Sequence, residues 1–352
     1  GFLFTETTVN KVTEAPPYSY QTDKAGVRRE VPSAFVLRDN TVTFSLPKGF
    51  DRRLPLVIDP VLVFSTYSGS FTDNWGYTAT YDKDGHLYSG GIEFGNRFPA
   101  TVGAFQVSFS AVIDVAILKY TPNGNALVYA TYLGGSQAEA PHSLIVNGAG
   151  ELVAMGTTSS LNFPTTAGAF DRTYNGGTRI TPVGVNFLNG SDLFVSKLSA
   201  TGSALLGSTY VGGALNDGIS QKIDQQVFNY GDEFRGEVYT DQQGNIYFAS
   251  TTLSRNFPTA NAQQNALSGL QDAVVCQLNP TLAALTWSTY LGGSGFDAAR
   301  GIRVASSGNV YVTGGTTSRN LPVSSGVLKT ANNGEDGFVA RFQNQRLSRL
   351  SY

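Results

Sequence analysis

A short glycine-rich pattern returns four times along the chain, and this repetition restricts the possible folds more than any other feature. Its copies read STYSGS at Ser65–Ser70, ATYLGG at Ala130–Gly135, STYVGG at Ser208–Gly213 and STYLGG at Ser288–Gly293. Their tyrosines, at positions 67, 132, 210 and 290, are 65, 78 and 80 residues apart. A pattern that recurs at such intervals indicates one supersecondary unit that is built several times over.

The same series of segments lies between successive copies of the pattern. An apolar run comes first, followed by a turn and strand such as SGNVYVTG, a proline-containing connection such as RNFPTANAQQ, and a strand such as DAVVCQL. The strand that carries the next copy closes the unit. Alternating apolar residues and Gly-Asn or Asp-Gly turns are typical of antiparallel strands. Four such strands per unit predict an all-β fold, a β-propeller of four-stranded antiparallel blades at about 72–135, 136–213, 214–293 and 294–352.

These motifs resemble the bacterial SBBP β-propeller repeat family. The family's run reads roughly Ser-Thr-Tyr-Leu-Gly-Gly, Gly-Asn-Val-Tyr-Val-Thr-Gly, Phe-Pro-Thr-Thr and Asp-Ala-Phe-Val, and Ser288–Ser318 matches it most closely. The resemblance extends over about residues 61–352 and implies an exported, surface-associated bacterial protein. Residues 1–60 lack the repeat and read as short strands with loose turns. They resemble the end of the β-rich domain that precedes the propeller in such proteins.

The two ends of the repeat region lead to a further expectation. Pro60–Tyr67 reads as an outermost strand with no blade of its own in front of it, while RLSRLSY starts an outer strand for the fourth blade. On this alignment Tyr352 corresponds to Tyr129, so the next Thr-Tyr would fall three residues later. We therefore expect a larger propeller, of which this sequence contains about four blades. Closure with four blades would leave two outer strands competing for one sheet edge.

Charge and composition argue against several classes of function. The 352 residues include 24 Lys and Arg and 26 Asp and Glu, the net charge is −2, and no basic run exceeds Arg52-Arg53. Nucleic-acid binding needs a basic surface, so no nucleic-acid partner is expected. No apolar stretch is long enough for a transmembrane segment. Cys276, the single cysteine, alternates with Val274 on a strand pattern and is expected to be a small buried residue.

Residue types that carry catalysis or bind metals are scarce. His86 and His142, the two histidines, lack a paired metal-ligand spacing, and no GxSxG motif is present. The segment Asp82–Gly85 begins like a calcium loop but lacks the later ligands, so a turn is expected. One aspartate precedes the third strand of every blade, and its recurrence favours a turn-capping role over a catalytic one. These residues are Asp114, Asp192, Asp272 and Asp336. We expect no catalytic residue, no metal and no cofactor.

Two insertions depart from the repeat and are the best candidates for a binding site. Arg172–Ser191 lies between the second and third strands of blade 2, and Ala214–Gly236 precedes the first strand of blade 3. Both connections emerge on one face of an up-and-down propeller, and loops on a rigid scaffold commonly carry binding residues. The candidates are Tyr174, Arg179, Asn186, Asp217, Asp224, Tyr230, Asp232, Glu233 and Arg235. Calcium held by the acidic residues, or no specific role, are the alternatives.

The leading hypothesis is a non-enzymatic extracellular propeller module, a surface scaffold, adhesin or binding platform for a protein or glycan at one propeller face. A second hypothesis is a structural subunit that self-associates into a surface layer or filament through its repeated blades or unpaired outer strands. A third is a propeller enzyme that hydrolyses or cleaves glycans, which would need two carboxylates at a defined separation. The sequence alone places no such pair.

Overall fold

The computed structural model describes residues 3–6, 11–14, 16–39, 41–59, 64–110, 112–220, 231–332, 334–343 and 346–351. The chain forms two compact units, Gly1–Thr66 and Tyr67–Tyr352. Strands dominate both, and the helical content of the described residues is one 3-10 turn at Pro182–Gly184. The predicted all-β class is therefore confirmed.

The first unit contains three small antiparallel sheets. Strands β1 (Leu3–Glu6) and β2 (Lys11–Glu14) form one pair, and β5 (Ala34–Arg38) and β6 (Thr41–Ser45) form another. The third sheet has the order β4-β3-β7, with β3 at Tyr18–Thr22, β4 at Arg28–Glu30 and β7 at Leu56–Asp59. Gln21 on β3 fixes the loop before β7, because its side chain accepts the N–H of Asp51 and donates to the carbonyl of Leu54.

The second unit contains four four-stranded antiparallel sheets in succession, and each sheet follows chain order. Blade 1 consists of β8 (Asn74–Tyr81), β9 (Leu87–Glu93), β10 (Asp114–Tyr120) and β11 (Leu127–Leu133). Blade 2 consists of β12 (Glu139–Val146), β13 (Leu152–Thr158), β14 (Asp192–Leu198) and β15 (Leu205–Val211). Blade 3 consists of β16 (Glu237–Thr240), β17 (Ile246–Thr252), β18 (Asp272–Leu278) and β19 (Leu285–Leu291). Blade 4 consists of β20 (Asp297–Val304), β21 (Val310–Thr316), β22 (Asp336–Gln343) and β23 (Arg346–Ser351). The predicted β-propeller of four-stranded blades is confirmed.

The hydrophobic core of this unit lies between blades. Tyr247 and Val275 of blade 3 share one buried cluster with Val312 and Phe338 of blade 4, and equivalent clusters join the earlier blades. A single sheet cannot cover both of its faces, so stacking the next blade is what removes the apolar side chains from water. The first strands β8, β12, β16 and β20 pack in succession along the inner edge. Over the described residues no strand of blade 4 pairs with blade 1, and the sheets do not close into a ring.

The repeated Ser-Thr-Tyr residues fasten the fourth strand of a blade to its proline-containing connection. In blade 3 the Ser288 hydroxyl donates to the carbonyl of Pro258 at 2.7 Å. The Tyr290 hydroxyl donates to the carbonyl of Ser254 at 2.7 Å and accepts the N–H of Phe257 at 3.0 Å. Blade 2 repeats the serine and tyrosine donations. The pattern therefore organises the repeat, as the sequence indicates, and does so through specific side-chain hydrogen bonds.

One detail of the predicted repeat is wrong, and another lies only partly within the described residues. Residues 64–67 of the expected outermost strand form no strand, and residues 60–63 lie outside the described residues. In β23, Arg349 stands opposite Arg341, the place that Tyr129 takes opposite Lys119. Arg349 is therefore the counterpart of Tyr129, where the alignment predicted Tyr352, a residue that lies outside the described part of the chain. Equivalent positions in two blades are defined by main-chain pairing between strands. This pairing shifts β23 by three residues relative to the alignment that matched the tyrosines.

Cys276 lies on β18 and is fully buried, with its Sγ 3.3 Å from Oγ of Ser288. The expectation of a small buried residue is confirmed. Burial raises the pKa of its thiol to about 12, so the thiol stays protonated at neutral pH. Within the described part of the chain, no helix is long and apolar enough to cross a bilayer.

Candidate functional site

The blade-2 insertion, residues 172–191, forms a short arch. Ile180 and Phe187 pair in an antiparallel bridge around the 3-10 turn. Next to this bridge, Nη2 of Arg179 donates to Oδ1 of Asn186 at 3.1 Å. Both side chains are exposed, so the arch presents a guanidinium and a carboxamide to solvent in a fixed relation.

Tyr174 supports the arch at its base. Its hydroxyl donates to the carbonyl of Asn189 at 3.1 Å, and its ring meets the ring of Tyr210 edge-on at 5.8 Å between centroids. Burial, reinforced by the nearby carboxylate of Asp192, raises the pKa of Tyr174, so the phenol remains a hydrogen-bond donor. The side chain is half-buried and holds the arch in place.

The blade-3 insertion is bonded directly to the blade-2 insertion. Asp217 donates its N–H to the carbonyl of Ser191 at 2.8 Å, and the Ser191 hydroxyl donates to the carbonyl of Asp217 at 2.9 Å. Oδ1 of Asn216 accepts the N–H of Ser191 at 3.2 Å. The two insertions therefore emerge on one face, as predicted. Their described residues, 172–191, 214–220 and 231–236, are called the insertion face below.

Phe234 ties the insertion face to the inner strands of the propeller. Its buried ring lies 5.6 Å from the ring of Phe187, 5.8 Å from that of Tyr77 on β8 and 6.2 Å from that of His142 on β12. Burial lowers the pKa of His142 to about 3, so this imidazole is neutral and packs as an aromatic ring at ordinary pH. The aromatic cluster joins both insertions to blades 1 and 2.

Blade 4 also holds the insertion face. Nη1 of Arg300 on β20 donates to the carbonyl of Asp232 at 3.0 Å. The carboxylate of Asp232 lies 3.2 Å from Nη2 of Arg235, whose side chain reaches solvent. The segment 231–236 thus contacts the first strands of blades 1, 2 and 4 and leads into the first strand of blade 3.

The structure separates the predicted site residues by exposure. The exposed or half-buried ones are Arg179, Asn186, Arg235 and Tyr174. The buried ones are Asp217, Asp232 and Glu233. Asp224 and Tyr230 lie outside the described residues. Leu188 and Leu215 are exposed on the same face and were not among the predicted residues. In the sequence, each of these two leucines stands out as an apolar residue within a polar insertion.

Asp217 belongs to a feature that repeats at every described junction between blades. Its carboxylate accepts the N–H of Gly213 at 2.6 Å and the hydroxyl of Thr252. A Cβ on Gly212 would lie 2.6 Å from Oδ1 of Asp192 and 2.9 Å from Oδ2 of Asp217. A carboxylate from the third strand of blade 2 therefore faces a carboxylate from the entry to blade 3 across a glycine.

Equivalent carboxylates meet at the other junctions, and the three sets Asp114/Glu139, Asp192/Asp217 and Asp272/Asp297 are called the carboxylate pairs. Burial is the main cause that raises their pKa values. These rise to about 7 for Asp114, Glu139 and Asp217, about 8 for Asp192 and about 6 for Asp272. The second member of each pair always stands four residues after the second glycine of the repeated pattern. That spacing is a sequence signal for the second members of the pairs, which were not predicted as site residues.

The first member of each pair is one of the aspartates predicted to cap a turn, and the structure confirms that role. Oδ2 of Asp114 accepts the N–H of Ser110 at 2.8 Å, and Oδ2 of Asp272 accepts that of Ser268 at 2.9 Å. Asp192 accepts the N–H of Asn175 in the same way. In blade 4 the half-buried Asp336 accepts the N–H of Gly337.

The Asp82–Gly85 segment forms the expected turn. Oδ1 of Asp82 accepts the N–H groups of Asp84 and His86, both at 3.0 Å, and its Oδ2 lies 3.3 Å from Nζ of Lys119. Although burial opposes it, hydrogen bonding from His86 and Lys119 lowers the pKa of Asp82 to about 2. Ligand-type atoms of Asp82, Asp84 and His86 lie within 4.8 Å of one another. The N–H groups of Asp84 and His86 and the ammonium group of Lys119 already bind the Asp82 carboxylate. The closeness of the three side chains is therefore explained by the turn.

Two segments of the chain match known protein families. Residues 286–322 match the SBBP family, described as a beta-propeller repeat. This segment therefore carries an SBBP β-propeller repeat. Residues 1–61 match DUF7948, a domain of unknown function, which coincides with the part that lacks the repeat. No curated protein matches the chain significantly.

Among solved structures, the crystal structure of BamB from Moraxella catarrhalis matches over 79% of this chain and 89% of that chain. The sequence identity is 9% and the TM-score is 0.19. Similarity at that level gives no information on the function of this chain. The propeller assignment follows from its own four successive sheets and from the family match.

Proposed function

We propose that this SBBP chain is a non-enzymatic binding module outside the bacterial cell, and that its insertion face recognises a protein partner. A surface scaffold or an adhesin would use such a face. The observation that carries the proposal is the direct bonding of the two insertions through Ser191, Asn216 and Asp217. Segments that depart from the repeat are thereby joined into one continuous surface.

Rigidity supports a binding role for this face. The arch is held by Tyr174, and the second insertion is held by Phe234 against the inner strands. A surface that is already ordered loses little conformational entropy when a partner binds, so more of the contact energy remains as affinity. Loops fixed on a rigid scaffold are the usual location of such surfaces.

The exposed side chains favour a protein over a glycan. Arg179 and Arg235 supply guanidinium groups, Asn186 supplies an amide, and Leu188 and Leu215 supply apolar contact area. Arginine beside apolar side chains is typical of protein interfaces, where a few such residues provide most of the affinity. The aromatic rings described on this face, those of Tyr174, Phe187 and Phe234, are half or fully buried, so they offer no open stacking platform for a sugar.

Export is part of the proposal, and the SBBP resemblance supports it. The match to the family's repeat at residues 286–322 and to DUF7948 at residues 1–61 has the domain order expected for a surface-associated bacterial protein of this kind.

The test is a binding screen with the purified chain against arrays of extracellular proteins and of glycans. We expect a protein ligand whose affinity falls on the order of tenfold or more when Arg179 and Asn186 are both changed to Ala. The control is Lys83→Ala, an exposed charge in a first-to-second-strand turn at the opposite end of the strands. Both variants are checked for unchanged thermal unfolding.

Two results would contradict the proposal. One is a protein ligand whose affinity is the same for the wild type and the Arg179/Asn186 double variant. The other is binding to glycans alone, which would transfer the function to the alternative class of ligand.

A further inference from the structure

The charged side chains of the insertion face are separated by sign. Its described carboxylates are buried, at most 8% exposed, and belong to Asp217, Asp232 and Glu233. Its described cationic side chains reach solvent and belong to Arg172, Arg179 and Arg235. The described part of this face therefore presents positive charge alone to solvent, although the whole chain has a net charge of −2.

The nearest carboxylates are already bonded within the protein. Asp171, which directly precedes the face, accepts the N–H of Thr173 at 2.7 Å and the side-chain amide of Asn175 at 3.1 Å. Asp232 takes one N–H of Arg235, whose side chain is still 52% exposed. A guanidinium group has five N–H donors, so Arg235 keeps donors for a partner while Asp232 holds it in place.

A further arginine borders the insertion face from the proline-containing connection of blade 3. In this connection Oγ of Ser254 accepts the N–H of Leu215, and Oδ1 of Asn256 accepts that of Ala214, both at 2.9 Å. Arg255 lies between these two bonding residues and is exposed. The second insertion is thus fastened on both sides of Arg255, which holds this arginine at the border of the face.

The repeat itself does not require an arginine at position 255. Blade 2 has Leu161 at the equivalent place, and the following Asn162 accepts the N–H of Ser136 at 2.9 Å, as Asn256 does for its own blade. Because the asparagine makes the structural contact, the residue before it is apolar in one blade and charged in another. The fold therefore leaves this position open to a role in binding.

We propose that the partner of the insertion face is an acidic protein segment, whose Asp and Glu side chains are bound by Arg179, Arg235 and Arg255. The inference rests on the proposed binding role of this face. A guanidinium group can bind a carboxylate through two parallel N–H···O bonds, which gives both strength and orientation. Leu188 and Leu215 are exposed on the same face, so the segment that fits it combines carboxylates with apolar side chains.

A nucleic acid or a sulfated glycan fits this surface less well than an acidic protein segment. Polyanion binding depends on many Lys and Arg side chains along the charged backbone, and the described part of the insertion face contains no lysine. The two exposed leucines match apolar side chains, which those polymers lack. Opposite charge on the face and the segment also accelerates their association.

The test uses a short fluorescent peptide of repeated Glu-Glu-Leu, titrated with the full chain and followed by fluorescence anisotropy. Peptides of repeated Gln-Gln-Leu and Lys-Lys-Leu serve as references. We expect the acidic peptide alone to bind, with an affinity that falls as salt is added, because salt screens exposed charges. Changing Arg179 and Arg255 together to Gln should weaken its binding on the order of tenfold.

The matched control removes the same amount of positive charge outside the insertion face. Lys48 and Lys83 are exposed, and changing both to Gln should leave binding of the acidic peptide as it is. Both double variants are checked for unchanged thermal unfolding. An equal loss of affinity in the two double variants would mean that overall charge attracts the peptide, and the proposal would be overturned.

The fate of the binding role is read separately, from the protein ligand of the array screen. If that ligand depends on Arg179 and Asn186 but is indifferent to salt and to Arg255→Gln, the binding role stands and the acidic partner is overturned. An acidic peptide that does not bind at low salt has the same meaning. So does a DNA oligonucleotide or a sulfated glycan that binds more tightly than the acidic peptide.

Discussion

At the scale of single residues, the two glycines of the repeated pattern are required for space. Glycines between two strands often serve a sharp turn, because glycine adopts a positive φ without strain. In the structure Gly134, Gly212 and Gly292 have no positive φ, so conformational freedom does not explain them. A Cβ on Gly134 would lie 2.2 Å from Oδ1 of Asp114 and 2.7 Å from Oε2 of Glu139. Glycine is therefore required at position 134 because two buried carboxylates approach its backbone from neighbouring blades, and Gly212 faces the equivalent pair.

Gly134→Ala should destabilise the protein by about 3 kcal/mol, because the added methyl group has to displace buried carboxylates or the strands that carry them. Gly148→Ala is the matched control, since nothing lies within 4 Å of its Cβ position and its φ is not positive. That change should stay within about 0.5 kcal/mol of the wild type. Urea unfolding of both variants measures the difference. Equal stability of the two alanine variants would remove the spatial explanation.

At the scale of strands and connections, the repeat pattern predicted which segments form strands and which are insertions, but not the burial of single residues or the register of the last strand. Alternation and turn residues located the four strands of each blade, and the two insertions were recognised because they interrupt the repeat. The burial of Asp217 was not predictable locally, since its hydroxyl donor Thr252 lies 35 residues away at the end of β17. The register of β23 was misjudged because a tyrosine was used as the anchor, while main-chain pairing with β22 sets the alignment.

The clamp between the fourth strand and the proline-containing connection can be tested with Tyr290→Phe. This change removes a buried hydroxyl that donates to the Ser254 carbonyl and accepts the N–H of Phe257, and leaves both backbone groups without their partner. We expect a loss of about 2 kcal/mol. Tyr81→Phe removes the hydroxyl of a largely exposed tyrosine on β8 and should have little effect. Thermal unfolding compares the two, and a similar shift in both variants would show that the clamp contributes nothing specific.

At the scale of the whole molecule, the carboxylate pairs make the stacking of blades depend on protons. The pairs occur at all three described junctions, and none of the ion pairs described in the chain involves their members. Two buried carboxylates that face each other cannot both ionise at low cost, so a proton is retained where they meet. The same junctions contain the hydrophobic clusters, so proton loss acts on the surfaces that hold the propeller together.

Stability should therefore fall as the pH rises from about 5 to about 8. The folded-state pKa values of Asp114, Glu139 and Asp217 are about 7 and that of Asp192 is about 8, above the ordinary values of 3.8 for Asp and 4.5 for Glu. Over this window the folded chain keeps protons that the unfolded chain has released, so each of these groups loses its contribution as the pH passes its folded-state pKa. The pKa of Asp82 is lowered, and its effect of opposite sign appears only in more acidic solution.

Urea unfolding midpoints across the pH range measure this dependence. Asp217→Asn removes one of the retained protons and should reduce the slope of stability against pH. Asp84→Asn, an exposed carboxylate on the Asp82–Gly85 turn, is the matched control and should leave the slope as it is. A stability that is constant or increases between about pH 5 and about pH 8 would mean that the buried carboxylates hold no protons at the blade junctions, and that hydrogen bonds from hydroxyl and N–H groups alone neutralise their charge.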